Sequence, residues 1–213
     1  MKTWIHLLCA LLSTAVIAAV ANAAILDFED LVHHDSLVVD HGPVYTHEGY
    51  VLTNTATEEE SGFPPSFASF GTLLPEFTGS TALFNDNFNG ATVLTGTENQ
   101  AFQLRSISLA ELAASEPFSV VFSGLTAGGV LVTETVELDG AFGMQTFAFG
   151  SEFRDLVSVS WDQTAPYHQF DNINVNAIPE PRSLLLLGSG LLALLTARNR
   201  LRLCNVVRQR KGP

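Results

Sequence analysis

The chain has 213 residues, 22 of them Asp or Glu against 10 Lys or Arg, with a formal net charge of -12 and 46% hydrophobic residues. That balance excludes charge-driven binding of nucleic acid or anionic lipid, so nucleic acid is not an expected partner; the length suits one domain with appended segments. Cys9 and Cys204 sit near opposite ends, which excludes disulfide stapling, thiol catalysis and Cys-based metal sites from everything between them.

Met1-Lys2 opens with a positive charge, Ile5 to Val20 is apolar and helix-compatible, and Ala21-Asn22-Ala23 has the small-x-small pattern that signal peptidase accepts. Residues 1–23 therefore read as a signal peptide, cut between Ala23 and Ala24. A first strand follows at Ile25 to Asp30 and carries Asp27, Glu29 and Asp30. His33, His34, His41 and His47, with Asp35 and Asp40, lack a helical His-x-x-x-His arrangement. They fall in a strand-turn-strand segment and read as surface histidines of an exposed hairpin rather than a zinc site.

Further strands are expected at Val44 to Leu52, Thr81 to Phe84, Val130 to Leu138 and Phe170 to Val175. Thr53 to Thr72, with Glu58-Glu59-Glu60 and Pro64-Pro65, reads as a long polar loop whose glutamates are solvated. Phe118, Val120 and Phe122 alternate with smaller or outward residues, as do Val157, Val159 and Trp161, and Phe147 and Phe149 repeat the pattern. In Phe102 to Leu109 the apolar phase slips by one residue between Leu104 and Ile107, which predicts a bulge at Arg105 and Ser106. Gly124, Asn89-Gly90, Gly128-Gly129, Asp139-Gly140 and Gly150 supply turns, and Ala110 to Ser115 allows at most one helical turn. This spacing of short strands predicts an all-β antiparallel sandwich of jelly-roll type over residues 24–177.

Within that domain lie 21 of the 22 acids but, of the basic residues, only Arg105 and Arg154, so its own charge is 2 minus 21, or -19, with no lysine. Counter-ions are needed, and divalent cations are the efficient ones. If Ile173 and Val175 face the core, strand parity places Asp171 on the same face, where only Arg105, Arg154 or a metal compensates it. Because first and last strands of a sandwich commonly run side by side, Glu29 and its neighbours could meet Asp171 and Asn172 around one ion; the simpler reading is acids that fray into water at strand ends. Tyr167 and His168, beside Pro166, are candidates for an exposed aromatic contact, whereas Trp161 belongs to the core.

Ile178-Pro179-Glu180-Pro181 breaks regular structure, Ser183 to Ala197 is an uncharged run, and Arg198, Arg200 and Arg202 close it. A helix of that run spans about 22 Å at 1.5 Å per residue, a short transmembrane helix with its basic flank on the cytoplasmic side. Residues 204–213 form a basic cytoplasmic tail. The order of Pro179-Glu180-Pro181, apolar helix and arginines resembles the PEP-CTERM sorting signal of Gram-negative bacteria. That resemblance implies recognition by an exosortase, a membrane-embedded transpeptidase-like enzyme that cuts near the motif, and association with exopolysaccharide and biofilm material. The tail beyond Arg202 is longer than the family usually shows. Opening Phe28-Glu29 and closing Phe170-Asp171-Asn172-Ile173 are similar to jelly-roll carbohydrate-binding modules, which implies a structural calcium held by Glu29 and Asp171.

No nucleophile elbow, Walker loop, dinucleotide fingerprint or His-Glu-x-x-His occurs. The expectation is an exported surface or matrix protein, transiently anchored in the inner membrane and without enzymatic activity. A calcium-stabilised carbohydrate-binding module that contacts polysaccharide is the alternative, and a glycoside hydrolase or lyase the third reading.

Overall fold

Alternating apolar and small polar residues over half-buried runs build strands, and a computed structural model shows them in residues 23–56, 64–87, 90–112, 116–163 and 167–178. The expected signal segment before Ala23, the Glu58-Glu59-Glu60 run, Pro179-Glu180-Pro181, the apolar run and its arginines lie outside these described residues. Among the described residues, no helix is long and apolar enough to cross a membrane. The chain divides into two compact units, Met1–Ile178 and Pro179–Pro213.

Strands in the described part are β1 (Ala23–Leu26), β2 (Val38–Gly42), β3 (Val44–His47), β4 (Tyr50–Asn54), β5 (Phe67–Phe70), β6 (Leu83–Asn85) and β7 (Ala91–Gly96). They continue with β8 (Phe102–Glu111), β9 (Phe118–Thr126), β10 (Leu131–Leu138), β11 (Gln145–Ala148), β12 (Leu156–Asp162) and β13 (His168–Ala177). Every pairing is antiparallel. One layer runs β10-β9-β12-β7-β4-β3; the other runs β2-β5-β6-β13-β8-β11, with β1 beside the far half of β13. A single bridge, Leu156 to Phe102, joins them, so the ladder is continuous but the architecture is a sandwich.

Several elements differ from expectation. The first strand stops at Leu26, because Phe28 takes a left-handed φ of 54° and the chain turns into a short 3-10 segment at Glu29–Leu31. Val44 to Leu52 is a hairpin, folded at Glu48 and Gly49, which both have positive φ. The expected loop Thr53 to Thr72 contains β5, whose Phe67 enters the core; four residues between prolines and a glycine are too few for a periodic signal. Likewise β8 continues to Glu111 where a helical turn was allowed. Gly124 lies inside β9 rather than in a turn, since a Cβ there would stand 2.8 Å from Leu156 Cδ2 and 3.0 Å from Val132 Cγ2.

The slip expected at Arg105 and Ser106 is present: Asn174 faces Ser106 while Val175 faces Leu104, which leaves one extra residue on β8. A second slip, on β13, was not expected. Asp171 faces Ser108 and Asn174 faces Ser106, so here β13 carries the extra residue, at Asn172 with φ 49°. Two opposed bulges keep Phe102, Leu104, Ile107 and Leu109 of β8 buried together with Phe170, Ile173 and Val175 of β13.

Phe170 is the hub of the core. Its ring meets Trp161 at 5.2 Å, Phe28 at 5.8 Å and Phe67 at 6.0 Å, each edge-on. From Trp161 the contacts run on through Phe122 and Phe149 to Phe153. Phe28 accepts a left-handed backbone, a strain of order 1–3 kcal/mol, because its fully buried ring closes this cluster against Tyr45 at 5.2 Å. Phe170→Ala should therefore cost about 3–5 kcal/mol in chemical denaturation, against no more than about 0.5 kcal/mol for a surface change such as Thr133→Ala. A loss below 1 kcal/mol for Phe170→Ala would contradict its placement at the centre.

Candidate functional site

The bulge at Asn172 corrects the expected placement of Asp171. Phe170 and Ile173 share the core face, so Asp171 projects to the opposite face of its sheet, with Ser108. It is buried there nonetheless, because the segment after β5 covers that face: Ser80 meets Asp171, and Glu76 O accepts from Gln169 Nε2 at 3.0 Å.

Sequence neighbours far apart meet at this point. Ser80 Oγ stands 2.6 Å from Asp171 Oδ2 and 2.8 Å from Glu29 Oε1. Glu29 also accepts from Thr81 N at 3.0 Å, and Asp171 accepts from Asn172 N at 2.7 Å and Asn172 Nδ2 at 2.8 Å. The left-handed turn at Phe28 makes this possible, sending its ring inward and the next side chain, Glu29, outward. A hydroxyl has one proton, so Ser80 satisfies one carboxylate and leaves its contact with the other to a carboxyl proton or a cation. Neither arginine supplies that charge, for the one ion pair among the described residues joins His33 and Asp35 at 2.8 Å. Burial raises the Asp171 pKa from 3.8 to about 6; the Ser80 and Asn172 hydrogen bonds oppose the rise, and the charges of Glu29 and Asp27 add to it. The donor set is hard oxygen, as calcium requires, but two carboxylates fall short of a cage. Among the described residues no group of three His, Cys, Asp or Glu gathers around a metal position, so main-chain carbonyls and water would complete the shell.

The histidines are not a loose surface set. Asp35 Oδ1 holds His33 Nδ1 at 2.8 Å, and both His33 Nε2 (3.3 Å) and His41 Nε2 (2.8 Å) point at Ser69 Oγ. His33 stabilises the Asp35 carboxylate and lowers its pKa, while burial and then the nearby His33 lower that of His41. Asp35, His33 and Ser69 have the order of a nucleophile relay, but Ser69 is fully buried, so no substrate reaches its oxygen. His34 meets Thr72 instead, and His47 stacks on Tyr45.

Tyr167 and His168 separate. His168 is 1% exposed with neither ring nitrogen hydrogen-bonded, which corrects its expected exposure; burial lowers its pKa to about 4. Tyr167 lines a cleft of about 720 Å³ at the end of the sheet where β2 and β6 finish and β5 and β13 begin. Phe84 forms part of its wall, stacked on Phe70 at 4.6 Å, and Pro64, Pro65 and Leu112 add apolar surface. Its polar lining is Asp40, Asp86, Asn85, Asn87 and Ser66, with no basic residue. Asn87 Oδ1 accepts from Ser66 N at 2.8 Å and from Asn54 Nδ2 at 2.9 Å, which fixes that wall. Asn85 Nδ2 is buried and meets no acceptor. Partial burial, and next the charge of Asp40, push the Asp86 carboxyl up. Sequence reading missed this cleft, since Asp40 and Asp86 carry no local signal of being neighbours.

Residues 177–200 match the family model of the PEP-CTERM protein-sorting motif, so the chain carries a signal for export through membrane-anchored sorting. No curated protein matches the sequence. In shape, the chain is similar to the CBM22-1 xylan-binding domain of Xyn10C from Paenibacillus barcinonensis, at 10% identity, 77% of this chain, 99% of that one and a TM-score of 0.38. It is also similar to a family 29 carbohydrate-binding module complexed with mannohexaose, at 9% identity, 75% and 93% coverage and a TM-score of 0.33. The site stands on its own geometry.

Two buried groups set opposite pH slopes. Folded Asp171 keeps a proton that the unfolded chain releases, so its contribution falls as pH rises from about 4 to 6; folded His168 refuses a proton that the unfolded chain takes, so its contribution rises from about pH 4 to 6.5. In chelator, Asp171→Asn removes the first slope. The stability of that variant should climb by on the order of 2 kcal/mol between pH 4.5 and 6.5 in urea titrations, more steeply than the parent. A variant profile no steeper than the parent's would refute the assignment.

Proposed function

We propose that this chain is a non-enzymatic protein displayed at the cell surface or in the extracellular matrix, where its β-sandwich holds polysaccharide in the cleft between Asp40, Asp86 and Tyr167. The export half rests on the sorting motif at 177–200. The cleft carries the binding half: apolar faces of Tyr167 and Pro65 beside carboxylate, amide and hydroxyl groups suit a sugar ring, which presents C–H faces and a rim of hydroxyls. In this reading signal peptidase cuts between Ala23 and Ala24. Supporting it, Ala24 pairs with Val175, so the new terminus begins inside an established ladder. Within the sorting signal 178–203, the run Ser183 to Ala197 then serves as a short transmembrane helix until an exosortase-like enzyme cuts near Pro179, releasing the domain into exopolysaccharide or biofilm material. Mass spectrometry of the mature chain should find a C-terminus close to Pro179; a chain ending at Pro213 would mean permanent anchoring.

The same reading gives calcium a structural role at Glu29 and Asp171, where a divalent ion supplies the positive charge that Ser80 cannot. Millimolar calcium should raise the melting midpoint by several degrees over chelator, and Asp171→Asn should abolish the difference. Equal midpoints in the parent would exclude the ion.

Retention on a polysaccharide column with elution by free sugar tests the binding function. The hydrolase or lyase reading draws on the same carboxylate pair. Release of reducing ends that disappears in Asp86→Asn would put catalysis in place of binding.

A further inference from the structure

The cleft is one-sided in charge. Asp40 on β2 and Asp86 after β6 line it together, and among the described residues neither is ion-paired and no Lys or Arg is part of the lining. Partial burial and then the charge of Asp40 disfavour ionisation of Asp86, and both carboxylates stay near enough to solvent to remain accessible to a ligand. An arriving positive charge relieves that repulsion, a neutral sugar satisfies it only by hydrogen bonding, and a uronate aggravates it. The domain's charge of -19 acts in the same sense at longer range, enriching cationic polymers and depleting anionic ones around the cleft.

Two features argue that the cation belongs to a sugar rather than to a basic peptide. Tyr167 and the Pro64-Pro65 pair offer short, flat apolar surfaces close to polar groups, a spacing that fits a pyranose ring with hydroxyls on its edge. Asn85, Asn87 and Ser66 line the same cleft and set amide and hydroxyl groups beside those surfaces, partners suited to ring hydroxyls or an N-acetyl group.

Resting on the saccharide-binding reading above, we propose that the cleft selects partly de-N-acetylated amino-glycans, seating an ammonium between Asp40 and Asp86 with the adjoining ring against Tyr167. Charge pairs this exposed contribute up to about 1 kcal/mol, so the expected preference over a neutral oligosaccharide of equal length is about fivefold.

Calorimetric titration of the full-length chain in detergent, at low salt, separates the outcomes. Four oligomers of matched length are compared: de-N-acetylated amino sugar, its fully acetylated form, a neutral glucan and a uronan. The de-acetylated oligomer should bind best and the uronan worst. The double change Asp40→Asn with Asp86→Asn should erase the preference, so that de-acetylated and neutral oligomers bind within twofold of each other. Neutral and de-acetylated oligomers binding equally would overturn the amino-glycan selection while leaving saccharide binding intact. Failure of all four to bind would overturn both readings. A lysine-rich peptide of the same charge binding as tightly as the amino-glycan would replace the proposal with simple cation capture, as would calcium displacing the oligomer in the parent.

Discussion

Phe170 and Asp171 are neighbours in sequence with opposite requirements, and the bulge at Asn172 reconciles them. In an unbroken strand, facing Ile173 and Val175 into the core would turn Phe170 out and Asp171 in. Three edge-on ring contacts hold Phe170 at the centre of the sandwich, and a close-packed interior has no second position for a ring of that size. The extra residue restores the aromatic to the core and carries the carboxylate through to the other face. Asparagine is suited to that position because it tolerates a left-handed backbone, and its own amide then hydrogen-bonds the displaced carboxylate at 2.8 Å.

Packing thus generates the polar site. A carboxylate on the outer face of a sheet would ordinarily reach water, but here the segment carrying Ser80 and Thr81 lies over it and brings Glu29 alongside. The outcome is a buried carboxylate, Asp171, and a surface one, Glu29, sharing a hydroxyl that has one proton for the two of them. Asp40 and Asp86 form a contrasting pair: they stand at the rim of an open cleft, their mutual repulsion is softened by solvent, and the space beside them admits a ring. Burial of one member separates the two pairs, since Asp171 is enclosed whereas Asp40 and Asp86 both reach solvent.

The fold was legible where the apolar phase is unambiguous. In β8 the change between Leu104 and Ile107 shows because every core position on both sides is large and aliphatic or aromatic, so the bulge there could be read directly. The equivalent signal in β13 is the three-residue step from Phe170 to Ile173, but Phe170 at the strand's expected start read as an entry residue, and parity taken from Ile173 alone put Asp171 on the wrong face. β5 was hidden for another reason: Phe67 to Phe70 holds too little alternation to stand out between a proline pair and Gly71. The burial of His168 depended on its ladder partner Glu111, 57 residues earlier, and on Phe118 closing over its ring.

Composition and local order by themselves determined the acid excess, the absence of thiol chemistry from the domain, the period-two strands and the sorting motif, because each is written in residues that are covalent neighbours. Glu29 and Asp171 were also readable from sequence as candidate companions, through the habit of first and last strands lying together. Only the tertiary structure decided that Ser80 stands between them, that His33 and His41 share Ser69, and that Asp40 and Asp86 border one cleft. Those meetings join segments dozens of residues apart, and they depend on strand order and on single-residue slips in register, quantities that no local pattern encodes.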